Sequence, residues 1–377
     1  MPRSKKQPIL YQEKLNIPEE FLRFATSKEV ALYRAERLKC NTLVEIGAGI
    51  GGQTLAFAKF CKKVIAIEIN KKYADILINN LKKLKIDNVK IIIGNALNQT
   101  IIEQIKQATP DIIFCDTERK AEGERSINDL QPNILKLLDA YSKITKNIAV
   151  EIPPFTKDID SLKEFEFEKE FLSLNGKLNR LTLYFGSLKK CDVSVVALPE
   201  KERIEKSPLE EPSLKKSPLG KPSGKDEKNP REENSGKNKK IKSIKEIKSL
   251  IGFEYLYEIN PAIILAGLVN ELALSLKFSQ YVNLSNKQYL ISNQLINSQF
   301  LQPYKILSLC ENNFKEILLN LKNLNAGKVS LRYNINPNDY WRVRNSYENS
   351  LKENKSGKEI HLFIDEKNEK AILCEKI

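Results

Sequence analysis

The sequence predicts a Rossmann-like α/β domain, then a charged linker, then a smaller α+β domain. Three observations carry this. Short Ile/Val-rich runs alternate with longer helical patterns over the first half of the chain, four glycines crowd between residues 47 and 52, and a polar tract divides the 377 residues. Alternation of that kind is the signature of βαβ units and a mostly parallel sheet.

Strands are expected at Leu43 to Ile46, Val64 to Glu68, Val89 to Ile93, Asp111 to Cys115 and Ile148 to Ile152. Helices fill the intervals, as over Lys71 to Leu84, where Tyr73, Leu77, Leu81 and Leu84 share one face. Leu181 to Phe185 and Val193 to Leu198 follow with no room for a helix between them, so an antiparallel pair at the sheet edge is expected.

Residues 200–247 read as a flexible linker. The stretch 201–240 holds four large apolar residues, Ile204, Leu209, Leu214 and Leu219, and no aromatic, too little to offset the ordering of its backbone. The expected division is 1–26, an N-terminal helical extension; 27–199, the first domain; 200–247, the linker; and 248–377, the second domain. In the last, a helix is expected over Ala262 to Leu276. Strands are expected at Val329 to Tyr333, Ile360 to Ile364 and Ala371 to Cys374, the last two forming a hairpin.

Composition excludes several chemistries. No apolar run approaches the roughly 20 residues that span a bilayer, and the N-terminus has no signal-peptide core, so a cytoplasmic location is expected. Six scattered cysteines and a single histidine, His361, argue against a zinc site, a disulfide framework or a Ser-His or Cys-His mechanism. No metal is expected. The net charge of +14 favours a polyanionic partner, although lysine, asparagine and isoleucine are abundant throughout and such drift makes a chain basic without a selected patch.

The cofactor signal is Glu45-Ile46-Gly47-Ala48-Gly49-Ile50-Gly51-Gly52, lying between the first strand and the next helix. Glycines there let a ligand approach the backbone. Gly47-x-Gly49-x-x-Gly52 also satisfies the dinucleotide fingerprint, and Glu68 ends strand two where ribose hydroxyls would be held, so the loop alone leaves NAD and S-adenosylmethionine both open. The acid Glu45 before the loop, the Gly47-x-Gly49-x-Gly51 spacing, Asn95-Ala96 after strand three and the terminal strand pair point to S-adenosylmethionine. The expected cofactor residues are Glu45, Gly47, Gly49, Gly51, Glu68, Ile69, Asn95 and Ala96.

The segment Ala25-Thr26-Ser27-Lys28-Glu29-Val30-Ala31-Leu32-Tyr33-Arg34, the glycine loop, Asp116 with Gly123-Glu124-Arg125 through Leu130-Gln131-Pro132-Asn133, and Leu183-Tyr184-Phe185-Gly186 resemble prokaryotic class I methyltransferases with a C-terminal THUMP-like domain. Tyr255-Leu256-Tyr257-Glu258-Ile259-Asn260-Pro261-Ala262 extends the resemblance beyond the linker. It implies a seven-stranded class I methyltransferase sheet, S-adenosylmethionine as cofactor, and methylation of a base in RNA, tRNA foremost, with the second domain gripping RNA.

Methyl transfer from a sulfonium is an in-line displacement, for which the protein supplies alignment and a proton acceptor. Asp116, at the tip of strand four, is the expected catalytic residue. Arg119 and Arg125 in the following loop are expected to grip phosphate, and Phe155 to stack on a base. Ile152-Pro153-Pro154-Phe155 mimics the Pro-Pro-aromatic element of amino-methylating enzymes but follows strand five, not four. Where the family shows Asp-Pro-Ala-Arg-Arg, this chain has Asp116-Thr117-Glu118-Arg119-Lys120. A binding module that no longer catalyses and a small-molecule methyltransferase stand as the other readings. Arg34 is expected to close over cofactor or to pair with Glu29 or Glu45.

Overall fold

The computed structural model describes residues 9–11, 14–15, 26–119, 126–206, 244–352 and 357–377. The first sheet contains β1 (Thr42–Ile46), β2 (Lys63–Glu68), β3 (Val89–Ile93) and β4 (Ile112–Asp116). After a two-residue ladder of β5 (Glu118–Arg119) with β6 (Leu130–Gln131), it continues through β7 (Ile148–Ile152), β8 (Phe167–Leu174), β9 (Lys177–Phe185), β10 (Val193–Leu198) and β11 (Glu202–Lys206). Its order is β11-β10-β8-β9-β7-β4-β1-β2-β3. The five strands β3, β2, β1, β4 and β7 run parallel. β1, β2, β4 and β7 are nearly continuous apolar runs because helices cover both faces.

The helices are α1 (Lys28–Arg37), α2 (Thr54–Phe60), α3 (Lys71–Leu84), α4 (Gln99–Gln107) and α5 (Ile134–Tyr141). α3 starts where the Asn70 side chain accepts from the Lys72 N–H, and it buries Ala74, Leu77 and Leu81 at helical spacing. It ends at Lys85 in the left-handed conformation.

Three expectations for the first sheet and the segment after it need correction. Among the described residues the first sheet has nine strands where seven were expected. Val193–Leu198 does not pair with Leu181 to Phe185; it runs parallel to β8, and β8 pairs antiparallel with β9. The unforeseen strand β8 reads Phe-Glu-Lys-Glu-Phe, and Glu168 and Glu170 within it are fully buried. Arg37 and Arg203 supply their counter-charges, so that Glu168, which burial would raise, is held down to about 2 by Arg37, Ser194, Lys190 and Arg203. Finally, the expected linker 200–247 includes residues that are strands. Glu202–Lys206 is an edge strand and Lys245–Glu246 pairs in the second sheet, while 207–243 lie outside the described residues. Of the N-terminal extension, Leu10 is buried in the first-domain core and most of the remainder lies outside the described residues.

The second sheet comprises β12 (Lys245–Glu246), β13 (Tyr255–Ile259), β14 (Gln280–Leu284), β15 (Lys287–Ser292), β16 (Leu301–Glu311), β17 (Ala326–Leu331), β18 (Lys358–Asp365) and β19 (Lys370–Lys376). β18 and β19 form the expected hairpin. The helix expected over 262–276 is broken at Gly267, whose positive φ caps α6 (Pro261–Ala266) before α7 (Val269–Ser275) begins. α8 (Phe314–Asn323) and α9 (Pro337–Ser350) complete the domain.

The two domains share one core. Ala262, Ile263, Leu268, Leu272 and Ala273 of the second join Phe171, Leu181, Leu183, Val195 and Ala197 of the first in a single buried cluster. Asn260 donates to the Ser173 hydroxyl at 2.7 Å, and Glu202 accepts from Ser298 at 2.7 Å and from the Gln299 N–H at 2.6 Å. The face of β8, β9 and β10 is therefore covered by helices that arrive after the linker. Leu272→Ala should cost about 2–5 kcal/mol. The Trp341 signal from the second domain and amide exchange in β1 and β4 should then fall together, and separate transitions would contradict the shared core.

Candidate active site

Each of the four central strands carries an acid at or beside its C-terminal residue: Glu45 on β1, Glu68 on β2, Asp116 on β4 and Glu151 on β7. The parallel register aligns these ends along one edge, with Asp116 directly across from Glu151. The chain reverses from β1 into α2 at this edge through the glycine loop.

That loop is tied down on both sides. The Gly47 and Ala48 N–H groups donate to the Ile67 carbonyl at 3.0 and 3.1 Å, and the Gly49 N–H donates to Glu68 Oε2 at 2.7 Å. Gly47 has φ +83°, and a Cβ there would stand 2.6 Å from the Asp116 carbonyl oxygen. A side chain at 47 would thus push β4 away from the loop. At Gly51, φ +96°, a Cβ would meet Leu77 of α3 at 2.4 Å. Around Gly49 the same construction meets nothing within 4 Å, so this part of the turn faces open space.

Glu68 is 6% exposed and organises the loop through Gly49 and, by Oε1, through the Asn70 N–H at 2.7 Å. A carboxylate offers about four lone-pair positions, so two acceptor positions remain. Ile69 is 69% exposed beside it. Asn95 accepts from the Leu97 N–H at 2.9 Å, and the Ala96 carbonyl accepts from Tyr141 at 2.6 Å, which fixes the turn after β3.

Arg34 contacts neither Glu29 nor Glu45 in the way expected. It is fully buried, donates to Gln53 Oε1 at 2.9 Å, pairs with Glu151, and lies 4.8 Å over the Phe114 ring. Burial lowers its pKa to about 10. Glu151 also pairs with Arg180 Nε at 2.7 Å, so one carboxylate bridges two guanidinium groups. Arg180, on β9, was not singled out by the sequence because nothing local marks its approach to Asp116. Burial raises the Asp116 pKa, with Arg180 and then Arg34 opposing. Thr117 donates its hydroxyl to the Glu151 carbonyl at 2.7 Å and its N–H to the same oxygen at 3.3 Å, pinning the segment after Asp116.

Phe155 is 55% exposed beyond β7. Arg119 has its backbone in β5, and Arg125 lies outside the described residues. His361 sits apart in the second sheet, accepting from Arg332 Nε at 3.2 Å; its pKa falls to about 4 by burial and the Arg332 charge.

The edge suits a cation better than an anion. Four acids stand against two arginines, and Glu45, held protonated at neutral pH and with Oε2 buried without a hydrogen-bond partner, would be drawn into its ionised form by a bound cation. A sulfonium and ammonium group would be compensated there, whereas a dinucleotide pyrophosphate would add like charge.

Burial, then the Asp116 and Glu68 charges, push Glu45 up to about 8 against the pull of Thr54 and Arg34. A raised carboxyl binds its proton more tightly in the folded state, so stability is full below about 4.5 and is lost as pH rises through about 8. Unfolding measured across that window should show a decline of a few kcal/mol. Glu45→Gln should flatten it, and an unchanged slope would contradict the assignment. Removing one partner of the Arg34 pair, as in Glu151→Gln, should cost about 3–5 kcal/mol; a loss below about 1 kcal/mol, the range of exposed pairs, would show that the pair is not buried as described.

The sequence model of the RNA cap guanine-N2 methyltransferases matches residues 40–197. A probable ribosomal RNA small subunit methyltransferase A of Methanosphaera stadtmanae is 46% identical over 68 residues, 18% of this chain and 25% of that protein. A probable cobalt-precorrin-6B C(15)-methyltransferase (decarboxylating) of Methanococcus maripaludis is 31% identical over 134 residues, 33% of this chain and 74% of that protein. The chain spans between 23% and 34% of the length of the ribosomal RNA methyltransferase relatives. A crystal structure of a methyltransferase candidate from Porphyromonas gingivalis W83 superposes with a TM-score of 0.67 at 17% identity, over 96% of this chain and 83% of that one, so both domains share its fold. The chain belongs to the class I S-adenosylmethionine-dependent methyltransferases.

Proposed function

We propose that this protein methylates a nitrogen of an RNA base, with tRNA as the substrate and the second domain, THUMP-like, holding the RNA. The observation that carries the reading is the contact between Gly47 and the backbone of Asp116, which brings the cofactor loop and the candidate proton acceptor within one van der Waals layer. S-adenosylmethionine, when bound, supplies an electrophilic methyl group on a sulfonium.

The chain's own residues divide the remaining work. Glu68 has acceptor positions left for ribose hydroxyls, Ile69 offers an exposed apolar face for a purine ring, and the Asn95-Ala96 turn follows Gly94, whose N–H donates to the Glu68 carbonyl at 2.9 Å. Glu45 sits buried under the loop, where a nearby cation favours its ionised form. Asp116 accepts the hydrogen bond of the attacking amine and opposes the charge that develops on nitrogen. Arg180 and Arg34 keep the Asp116 carboxyl from rising as far as burial alone would push it, which favours its accepting form. Phe155, exposed in the segment after β7, is assigned to stack on a base, and Arg119 and Arg125 to phosphate.

The description of the matched family favours the exocyclic amine of guanine as the acceptor. Beyond it, the second domain displays Trp341, 62% exposed, with the Arg344 guanidinium 5.3 Å from its ring, and Phe314, 47% exposed. Aromatic and cationic side chains of this kind serve nucleic-acid surfaces. Thr117, in place of the family's proline, is fixed by two hydrogen bonds, which favours a working site over one that only binds.

The test is methyl incorporation from labelled cofactor into tRNA, other RNA and RNA-free small-molecule extract, with mass spectrometry of the product nucleosides. Label should enter tRNA, and Asp116→Asn should lose about 10²- to 10⁴-fold in rate while still binding cofactor. Label entering only the RNA-free extract, or full activity in Asp116→Asn, would overturn the proposal.

A further inference from the structure

The chain carries six thiols, and two of them meet. Cys40 precedes β1 and Cys61 precedes β2, each by two residues, just beyond the Thr42↔Lys63 pair of the parallel ladder. The Lys63 N–H donates to the Asn41 carbonyl at 2.8 Å, so the ladder continues toward them. Their sulfurs lie 3.9 Å apart. Facing residues of neighbouring strands stand about 4.7–4.9 Å apart, inside the span of about 4.4–6.8 Å between Cα atoms that a disulfide tolerates. Cys40 is half-buried and reachable from solvent, and Cys61 is 5% exposed beneath it. Cys115, Cys191 and Cys374 are buried elsewhere, and Cys310 is half-buried in the second domain.

We propose that Cys40 and Cys61 are a reversible oxidation site, closing to an intramolecular disulfide in exchange with a low-molecular-weight disulfide such as oxidised glutathione. The Cys40 sulfur attacks one sulfur of the small disulfide as its thiol proton leaves, forming a mixed disulfide and releasing one small thiolate, which takes up that proton. The Cys61 thiolate then attacks the Cys40 sulfur and expels the second small thiolate, which is protonated in turn. Two protein thiols are oxidised and one small disulfide is reduced to two thiols. The sulfur–sulfur hydrogen bond, with burial, holds the Cys40 thiol up and draws Cys61 down, so the exposed Cys40 sulfur gives up its proton as it attacks and Cys61 is the ready thiolate that resolves the mixed disulfide.

The position gives the bond a consequence. Residues 41–60, enclosed by it, are β1, the glycine loop and α2, so oxidation fastens both ends of the segment that forms the cofactor turn. A cross-link that closes such a loop restricts the unfolded chain and should raise the melting temperature by several degrees.

The experiment incubates the full-length protein with oxidised glutathione, followed by peptide mass spectrometry without reduction and by thermal unfolding. A Cys40–Cys61 linked peptide two hydrogens lighter than the dithiol pair is expected, with a higher melting temperature that dithiothreitol reverses. Cys40→Ser, a small change at a half-buried position, should abolish both effects while Cys310 still forms its mixed disulfide. A stable glutathione adduct on Cys40 without the linked peptide, or no reaction at Cys40 where Cys310 reacts, would overturn the proposal.

Discussion

The structure depends on one buried cation. Arg34 lies with no exposed surface behind the acidic ends of the parallel strands, held by Gln53 and Glu151 and set over Phe114. Four ionised acids on neighbouring strand ends would repel one another strongly, and the edge limits this by holding the pKa of Glu45 and Asp116 up while guanidinium groups pair Glu151. Arg34 enters from α1, outside the sheet, and Arg180 from β9, so three parts of the chain must be in place before this edge is compensated. The arrangement links fold to chemistry. The groups that stabilise the edge also set how readily Asp116 and Glu45 hold protons.

A second constraint is the exposed face that the sheet would otherwise present. Beyond β7 the strands follow one another with short connections and no long crossover helix, so while Leu172, Leu174, Val196 and Leu198 pack on Val30 of α1, the opposite face with Phe171, Leu181, Leu183, Val195 and Ala197 has no crossover helix of its own domain over it. α6 and α7 cover that face, and β11 extends the sheet to meet Ser298 and Gln299. The second domain is thus part of the first domain's core, and its exposed Trp341 and Phe314 are carried on a scaffold joined to the sheet that bears the acidic strand ends.

Much of this was legible in the sequence, for identifiable reasons. β1, β2, β4 and β7 are buried on both faces and read as apolar runs, and the glycine turn stands out because the chain uses glycine sparingly. Asp116, Glu45 and Glu68 followed from their places at strand ends. β8 did not, since Phe167-Glu168-Lys169-Glu170-Phe171 shows the alternation of a solvated strand, and its acids are buried only because Arg37 and Arg203 arrive from 131 and 35 residues away. β11 hid in the same way at the start of a charged tract. Arg34 and Arg180 act through partners distant in sequence, and a lone arginine in a helix or strand carries no local sign of such a role. Asn95 shows the reverse case, a residue whose side chain is partly committed to its own turn.

The central claim is that the turn after β1 holds an adenosyl sulfonium against the tip of β4. Calorimetric titration of S-adenosylmethionine into the protein and into Gly47→Ala, whose added methyl would press on the Asp116 carbonyl, tests it directly. The account predicts one site per chain in the native protein, binding tighter than NAD, and affinity at least tenfold weaker in a Gly47→Ala protein that remains folded. Absence of S-adenosylmethionine binding, tighter binding of NAD, or equal affinity in the folded variant would contradict it.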